Sequence, residues 1–272
     1  MIRPADDPPP SAPGGVRTRA GDALTTVDLA AKAALITALR RDRLAGRCDV
    51  DDPTALVAVT RPGRPERPEL VAPRALAKRS VHTPDGRVAL IHAVAHIEAN
   101  AVNLALDAVH RFGDLPDAYY DDWLQVAAEE ARHFALLRDR LADLGAAYGD
   151  LPAHDGLWAA AVRTADDPLR RMALVPRVLE ARGLDVTPDM IERLRSVGDD
   201  ATVAVLEVIL RDEVGHVAIG TRWFRWLCDA RGLEPATTFR RLLTEEGVRL
   251  VAPFNDEARR AAGFEPGEYA PT

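Results

Sequence analysis

Two Glu-x-x-His pairs are the feature of this 272-residue chain that is best suited to chemistry. Each pair follows a lone glutamate, by 32 residues in the first half of the chain and by 33 in the second. Residues three apart on a helix lie on the same face, so each pair can bind one ion. Four antiparallel helices that each offer an inward carboxylate, together with two imidazoles, can hold two metal ions. The six candidate ligands are Glu98, Glu130, His133, Glu180, Glu213 and His216.

The types of these ligands indicate which metals fit. Carboxylate oxygens and neutral imidazoles suit iron or manganese, and the set contains no thiolate of the kind found in structural zinc sites. We therefore expect two iron ions, with a manganese–iron pair as the alternative that the same ligands accept. Two irons bridged by carboxylates can activate dioxygen.

The surroundings of the glutamates favour bound cations. Glu98 and Glu213 lie within apolar helical stripes, where a solvated side chain is not expected. Burying a carboxylate without compensation costs several kcal/mol for each charge, and metal ions remove that cost. The alternative is a set of buried structural ion pairs with nearby arginines such as Arg132, Arg177 or Arg182.

The ligands must be positioned by helices, and the apolar periodicity predicts them. The predicted core helices run from about 85 to 112, 116 to 144, 168 to 181 and 199 to 230. Gly113, Gly145 and Gly183 are expected to end the first three. No alternation of strands and helices is visible, so the predicted fold class is all-α.

The flanking segments complete the predicted organisation. Further helices are expected near 25–44, 187–198 and 237–250. The arginines and prolines between them indicate either a solvated loop around the bundle or a patch for phosphates or RNA. The predicted units are a disordered tail at 1–20, an N-terminal helix and proline-rich wrap at 21–84, a four-helix bundle at 85–230, and a C-terminal helix and tail at 231–272.

Several motifs carry a resemblance to a known superfamily. They include the segments 92–98, 129–134, 148–158, 179–185 and 212–216, which read HAVAHIE, EEARHF, YGDLPAHDGLW, LEARGLD and DEVGH. Over roughly residues 85–265 the chain resembles the ferritin-like di-iron carboxylate proteins, and within them an uncharacterised bacterial family, a domain of unknown function. The resemblance implies a ferritin-like four-helix bundle with a long crossover and flanking helices.

The resemblance also implies roles for the acids that precede each Glu-x-x-His pair. A metal-bound imidazole needs a partner for its other N–H group. In similar di-iron oxygenases the preceding acid holds the histidine of the opposing helix, so Asp212 is expected to hold His133 and Glu129 to hold His216. From the sequence alone, Glu129 is also compatible with a solvent-facing side chain. It also competes with Glu130 as the ligand, because it lies one turn from His133.

Three further histidines have open roles. His92 and His96 lie one turn apart but off the face of Glu98, which favours structural or outer-sphere roles over metal ligation. His154 lies in the crossover between the two halves. That segment either lines a substrate entrance or is a packed connector.

The predicted function is that of an oxidoreductase whose dimetal centre activates dioxygen to hydroxylate or oxidise an unidentified substrate, with an unidentified electron donor. No catalytic residue beyond the ligands is assigned. The alternatives are a non-catalytic iron-binding protein, a tRNA-modifying hydroxylase, or a helical interaction module with structural buried charges. The formal charge of −7 disfavours nucleic acid as a partner. A homodimer is an open possibility.

Composition supports an intracellular setting. The chain has only two cysteines, Cys48 and Cys228, too few for a disulfide framework. It has no run of 18 apolar residues and no signal-peptide pattern. We therefore expect a cytoplasmic protein that does not span a membrane.

Overall fold

The structure, a computed structural model, describes residues 14–50, 56–76 and 80–269. Within these residues the regular structure is helical, apart from one isolated bridge between Leu70 and Ala153. The first five helices are α1 (Val16–Thr25), α2 (Leu29–Leu44), α3 (Pro84–Arg111), α4 (Asp117–Asp143) and α5 (Gly156–Arg163). The next five are α6 (Pro168–Leu174), α7 (Ala181–Arg195), α8 (Asp200–Ala230), α9 (Pro235–Glu245) and α10 (Asp256–Ala261). Short 3₁₀ turns lie at Pro73–Ala75 and Pro266–Glu268, and a π-helix, Val175–Glu180, joins α6 to α7. The predicted all-α class is confirmed.

Capping residues explain where the core helices begin. The Thr83 side chain accepts a hydrogen bond from the backbone of Gly86 at the start of α3, and Asp199 does the same for Thr202 at the start of α8. Such caps satisfy backbone N–H groups that have no partner inside the helix. The helices α3, α4 and α8 begin and end within one residue of their predicted bounds.

The predicted break after the third core helix is wrong. The chain remains helical through Gly183 and Pro188 to Arg195. A proline inside a helix leaves the carbonyl four residues earlier without its usual partner. Here the Asn255 side chain donates to the carbonyl of Leu184, at 3.1 Å, and replaces that hydrogen bond.

The N-terminal expectation also needs correction. The predicted tail at 1–20 ends earlier, because α1 begins at Val16 and buries Val16, Ala20 and Leu24 against the body of the protein. Residues 1–13 of that tail lie outside the described part. The helix expected from residue 25 begins at Leu29, where Asp28 provides the cap.

The C-terminal expectation differs in length. The helix predicted at 237–250 spans 235–245, and the region predicted to be irregular contains α10. The Asn255 side chain accepts a hydrogen bond from Ala258 and caps this short helix. In the described parts of the proline-rich stretch before α3, 56–76 and 80–83, the regular structure is limited to the 3₁₀ turn and the bridge at Leu70. Lys78 and Arg79, part of its predicted basic patch, lie outside the described residues.

Helix packing brings the two halves of the chain together. α3 packs along α4, α7 and the π-helix pack along α8, and α4 contacts α8. Among the described residues, α3 is the one helix long and apolar enough to cross a membrane, but 72% of its most apolar window is buried. Such burial is typical of a core helix.

Candidate metal centre

The helices bring together four of the expected ligands. Glu98, Glu130, His133 and Glu213 each offer an atom within 4.8 Å of the others. Glu98 lies in the middle of α3, Glu130 and His133 in α4, and Glu213 in α8. The contacts of α4 with both α3 and α8 therefore position the group.

Glu130 lies between the two histidines. Its Oε2 atom is 3.5 Å from His133 Nδ1, and its Oε1 atom is 3.0 Å from His216 Nδ1. The side chain is completely buried. This carboxylate, with one oxygen toward each imidazole, therefore connects the two histidines within the buried group.

Each histidine is also close to a second carboxylate. His133 Nδ1 is 3.3 Å from Glu98 Oε2, and His216 Nδ1 is 3.4 Å from Glu213 Oε1. Adjacent oxygen or nitrogen ligands of an octahedral ion with bonds near 2.1 Å are separated by about 3.0 Å. The observed separations are close to that value, so ions fit between these atoms after small side-chain movements.

Glu180 stands at the edge of the group. It is the last residue of the π-helix and is half-buried, and it is not one of the four residues that lie within 4.8 Å of one another. Its Oε2 atom is buried and has no hydrogen-bond partner among the described residues. The charges of Glu213 and Glu130 act on its carboxyl group.

The acids that precede the two pairs fix the orientation of the imidazoles. His133 Nε2 is 3.0 Å from Asp212 Oδ2, and His216 Nε2 is 2.8 Å from Glu129 Oε2. A carboxylate accepts hydrogen bonds, so each Nε2 carries the proton. In the neutral ring that a metal ion would bind, Nδ1 then directs its lone pair toward the buried carboxylates.

Glu130 and Glu129 face different directions. The Glu129 side chain is 30% exposed and also accepts a hydrogen bond from Gln125, whereas the Glu130 side chain is fully buried. Glu130 is therefore the inward carboxylate of this pair.

Burial perturbs the acidity of the whole group. Burial, followed by the charge of a neighbouring glutamate, raises the pKa of Glu98 and Glu180 well above the usual range and also raises the pKa of Glu213. Burial also favours the neutral form of Glu130, but the two histidines hold its pKa below the usual value. The raised pKa values mean that the surroundings of these carboxylates contain too little positive charge to keep all four of them ionised.

The pKa values of the two histidines are raised by the neighbouring carboxylates, against the effect of burial. Burial alone lowers the pKa of His133, but Glu130 and Glu98 outweigh burial and raise that pKa to about 10. The pKa of His216 is likewise raised, because Glu130 and Glu129 outweigh its burial. Protons on these rings and carboxyl groups supply the positive charge that metal ions would otherwise bring.

The arginines proposed as structural partners lie elsewhere. Arg132 pairs with Asp212, and Arg182 donates to the carbonyl of Val251. Arg177 pairs with Glu268 and stacks against three phenylalanine rings. In the described part of the chain, no lysine or arginine forms an ion pair with any of the four candidate glutamate ligands, so arginines do not neutralise the group.

Several atoms of the group are buried without a hydrogen-bond partner among the described residues. They are both carboxylate oxygens of Glu130, Oε2 of Glu180 and Nδ1 of His216. Buried polar atoms normally have partners. Oxygen and imidazole donors that converge without partners fit metal ions of the iron or manganese type.

The three histidines whose roles the sequence left open, His92, His96 and His154, form a separate network. His96 Nδ1 is 2.9 Å from the Tyr148 hydroxyl, and His92 Nε2 accepts a hydrogen bond from the backbone of Gly149. His154 Nδ1 accepts one from the backbone of Gly156, at the start of α5. None of the three is in the group of four that could hold a metal ion.

The π-helix is the part of the site that the sequence analysis missed. A Cβ atom on Gly220 would lie 2.2 Å from Cβ of Pro176, so only glycine allows α8 to approach the π-helix this closely. Gly220 follows His216 by one turn and Pro176 precedes Glu180 by four residues. A glycine within an apolar stripe was the available signal for this close contact.

Fold and site together define an all-helical protein with a buried carboxylate–histidine group that is able to hold metal. The chain belongs to DUF455, a protein family of unknown function, which matches residues 25–270. It is similar to an uncharacterised protein of Haemophilus influenzae, with 49% identity over 208 residues that cover 74% of this chain and 72% of that protein. No solved structure matches the chain. The expected membership of a family of unknown function is confirmed.

Proposed function

We propose that this protein is a ferritin-like dimetal carboxylate oxidoreductase that binds two iron ions and activates dioxygen to hydroxylate or oxidise an organic substrate. The observation that carries the proposal is the buried group of carboxylates and imidazoles that no arginine or lysine of the described chain neutralises. The same ligands also accept a manganese–iron pair.

Charge balance supports two ions in place of one. Glu98, Glu130, Glu180 and Glu213 carry four negative charges when ionised, and two divalent ions carry four positive charges. Without metal, burial raises the pKa of Glu98, Glu180 and Glu213. Metal ions would therefore replace protons at this site, and metal binding would release those protons to solvent.

The order of the helices supports the ferritin-like arrangement. α3 and α4 form one pair, and α8 pairs with α7 and the π-helix that precedes it. Each half supplies a lone glutamate, Glu98 from α3 or Glu180 from the π-helix, and a Glu-x-x-His motif. This is the ligand pattern of carboxylate-bridged dimetal bundles.

The residues of this chain have distinct tasks at the centre. Glu130 is placed between both halves, and Asp212 and Glu129 hold the imidazoles with Nδ1 inward. Glu180 has a buried carboxylate oxygen that no described residue hydrogen-bonds, so this oxygen is available to a metal ion. Two ferrous ions, when bound, would supply electrons and open coordination positions for dioxygen.

Small molecules are expected to reach the centre between α3 and α7. These two helices make little contact in the described structure, whereas α3 packs on α4 and α7 on α8. The Glu213 side chain is 12% exposed and Glu180 is half-buried, but Glu130 is fully enclosed. The side of the group formed by Glu180 and Glu213 is therefore the open one.

Oxygen consumption tests the proposal. Metal-free protein is loaded anaerobically with two equivalents of ferrous iron and then mixed with buffer that contains dioxygen. We expect rapid consumption of dioxygen by the wild type and loss of that consumption in Glu98→Ala. Glu207→Ala, which removes an exposed glutamate of α8, is the matched control and should behave as the wild type. Tight iron binding without consumption of dioxygen would instead indicate a non-catalytic iron-binding protein.

A further inference from the structure

A cavity lies between α3 and the segment that precedes α5. It has a volume of about 170 Å³, and its walls include Ala93, Ile97 and Leu157. His92 and His154 also line it, and among the residues that the structure describes, none that lines it is an aspartate, glutamate, lysine or arginine. The cavity is thus mostly apolar, with imidazoles as its polar groups.

Backbone hydrogen bonds determine where the imidazole protons lie. The backbone N–H of Gly149 donates to His92 Nε2 at 2.9 Å, and that of Gly156 donates to His154 Nδ1 at 3.1 Å. A nitrogen that accepts a hydrogen bond carries no proton, so the proton of each neutral ring lies on the other nitrogen. His92 Nδ1 and His154 Nε2 are therefore N–H donors, and neither has a partner among the described residues.

Aromatic contacts and hydrogen bonds surround these donors. Tyr148 stacks on His92 with ring centroids 5.4 Å apart, and Phe134 meets Tyr148 edge to face. The ring nitrogens of His96 are occupied by the Tyr148 hydroxyl and the carbonyl of His154. Burial lowers the pKa of His92, which keeps its ring uncharged.

The cavity is separate from the metal centre. His92 precedes Glu98 by six residues, which turns it about 240° around the axis of α3. His92 and His154 do not belong to the group of four that could hold a metal ion.

We propose that this cavity binds a small uncharged molecule with an apolar body and a carbonyl oxygen, which accepts hydrogen bonds from His92 Nδ1 and His154 Nε2. A cavity of about 150 Å³ accommodates benzene, so a single substituted ring is the appropriate size. A carboxylate or an ammonium group would lose hydration here without an opposite charge among the described residues that line the cavity. A hydrocarbon would leave both N–H donors without a partner.

Three fluorinated probes of similar size test this selectivity. Binding of 4-fluoroacetophenone, 4-fluorotoluene and 4-fluorobenzoate to the full chain is measured by fluorine NMR, with and without added iron. We expect the ketone to bind about tenfold more tightly than the hydrocarbon, as one good hydrogen bond allows. We expect the benzoate to bind most weakly, and iron to change none of the affinities. Equal affinity for ketone and hydrocarbon, tightest binding of the benzoate, or binding of none of the three would overturn the proposal.

Variants locate the binding. Ala93→Phe fills the cavity and should abolish binding of the ketone, whereas Ala201→Phe, at an exposed alanine of α8, should leave it unchanged. His154→Phe keeps a ring but removes the N–H donor, so the preference for ketone over hydrocarbon should fall about tenfold. Unchanged ketone binding in Ala93→Phe, or an unchanged preference in His154→Phe, would contradict the proposed site. Because the proposed binding of the ketone does not require iron, failure of these binding measurements leaves the proposed dimetal function intact.

Discussion

Among single residues, Asp212 shows how the metal centre is organised. It accepts a hydrogen bond from His133 Nε2, pairs with Arg132 and leaves Nδ1 of the same ring directed at the buried carboxylates. Partners of this kind orient a ligand and increase its basicity.

Asp212→Asn should weaken metal binding while preserving the fold. The amide keeps the size of the side chain but loses the charge that holds His133, so we expect affinity to fall about 10- to 100-fold. Competition with a chelator of known affinity measures the change. Asp200→Asn, at an exposed aspartate of the same helix, is the control. Equal affinity in wild type and Asp212→Asn would show that this contact does not organise the site.

Removal of single ligands gives the stronger effect. Glu98→Ala and His216→Ala should abolish metal binding at one or both positions while circular dichroism shows that helix content is retained. Both residues contribute donor atoms to the buried group, and each helix has a long apolar face that holds it in place. Unchanged metal content in both variants would refute the ligand assignment.

From the sequence it was easier to predict which residues belong to the site than to predict which way their side chains point. The two Glu-x-x-His pairs could be recognised because a spacing of three keeps side chains on one face of a helix. The choice between Glu129 and Glu130 depends on the rotation of α4 about its axis. That rotation is set by the packing of α4 against α3 and α8, so it cannot be deduced from the sequence of α4 alone.

At the scale of helices, the π-helix controls the position of Glu180. A π-helix turns the chain more widely than an α-helix and is frequent at functional sites. Here Pro176 packs against Gly220, and Arg177 is held by Glu268 within three phenylalanine rings. Glu180 ends the π-helix three residues after Arg177, and the charges of Glu213 and Glu130 act on its carboxyl group.

Gly220→Ala should therefore disturb both stability and metal binding. The added methyl group overlaps Pro176, and overpacking of this kind costs about 1–3 kcal/mol. Gly215→Ala, on the same helix but with open space around the added atom, should instead stabilise the protein by about 0.5–1 kcal/mol. Urea unfolding of the metal-free variants measures the change in the free energy of unfolding caused by each substitution. If the two variants were equally stable, the contact between α8 and the π-helix would not be tight.

Local signals predicted most helices but not the continuity of α7. The caps Thr83 and Asp199 mark the starts of α3 and α8 in the sequence. Gly183 and Pro188 are ordinary signals for a helix end, and they misled because Asn255, some 70 residues away, restores the lost hydrogen bond. Burial of α1 against α3 is likewise a tertiary effect.

At the scale of the whole molecule, the buried charges make the metal-free protein sensitive to pH. A carboxyl group whose pKa is raised by folding stabilises the fold below its unfolded pKa, and that stability is lost as pH rises through the folded pKa. Glu98, Glu180 and Glu213 act in this sense. His133, whose pKa rises to about 10, and His216 lose their contribution in the same direction.

The metal-free protein should thus become less stable between about pH 5 and pH 8, by an amount on the order of 2 kcal/mol. Glu130 does not oppose this trend, because its lowered pKa leaves it ionised across that range. Thermal unfolding at several pH values measures the slope. Ferrous iron should flatten the slope, because the ions replace the protons, and Glu98→Gln should reduce it. A metal-free protein that is more stable at pH 8 than at pH 5 would contradict these pKa directions.

The location of bound iron tests the dimetal centre most directly. Crystals of the protein loaded anaerobically with ferrous iron are measured on both sides of the iron absorption edge. We predict two anomalous peaks for each chain, about 3.5–4 Å apart, one beside His133 Nδ1 and one beside His216 Nδ1, with Glu130 between them. A single peak, peaks at other places, or no peak between these side chains would contradict the account.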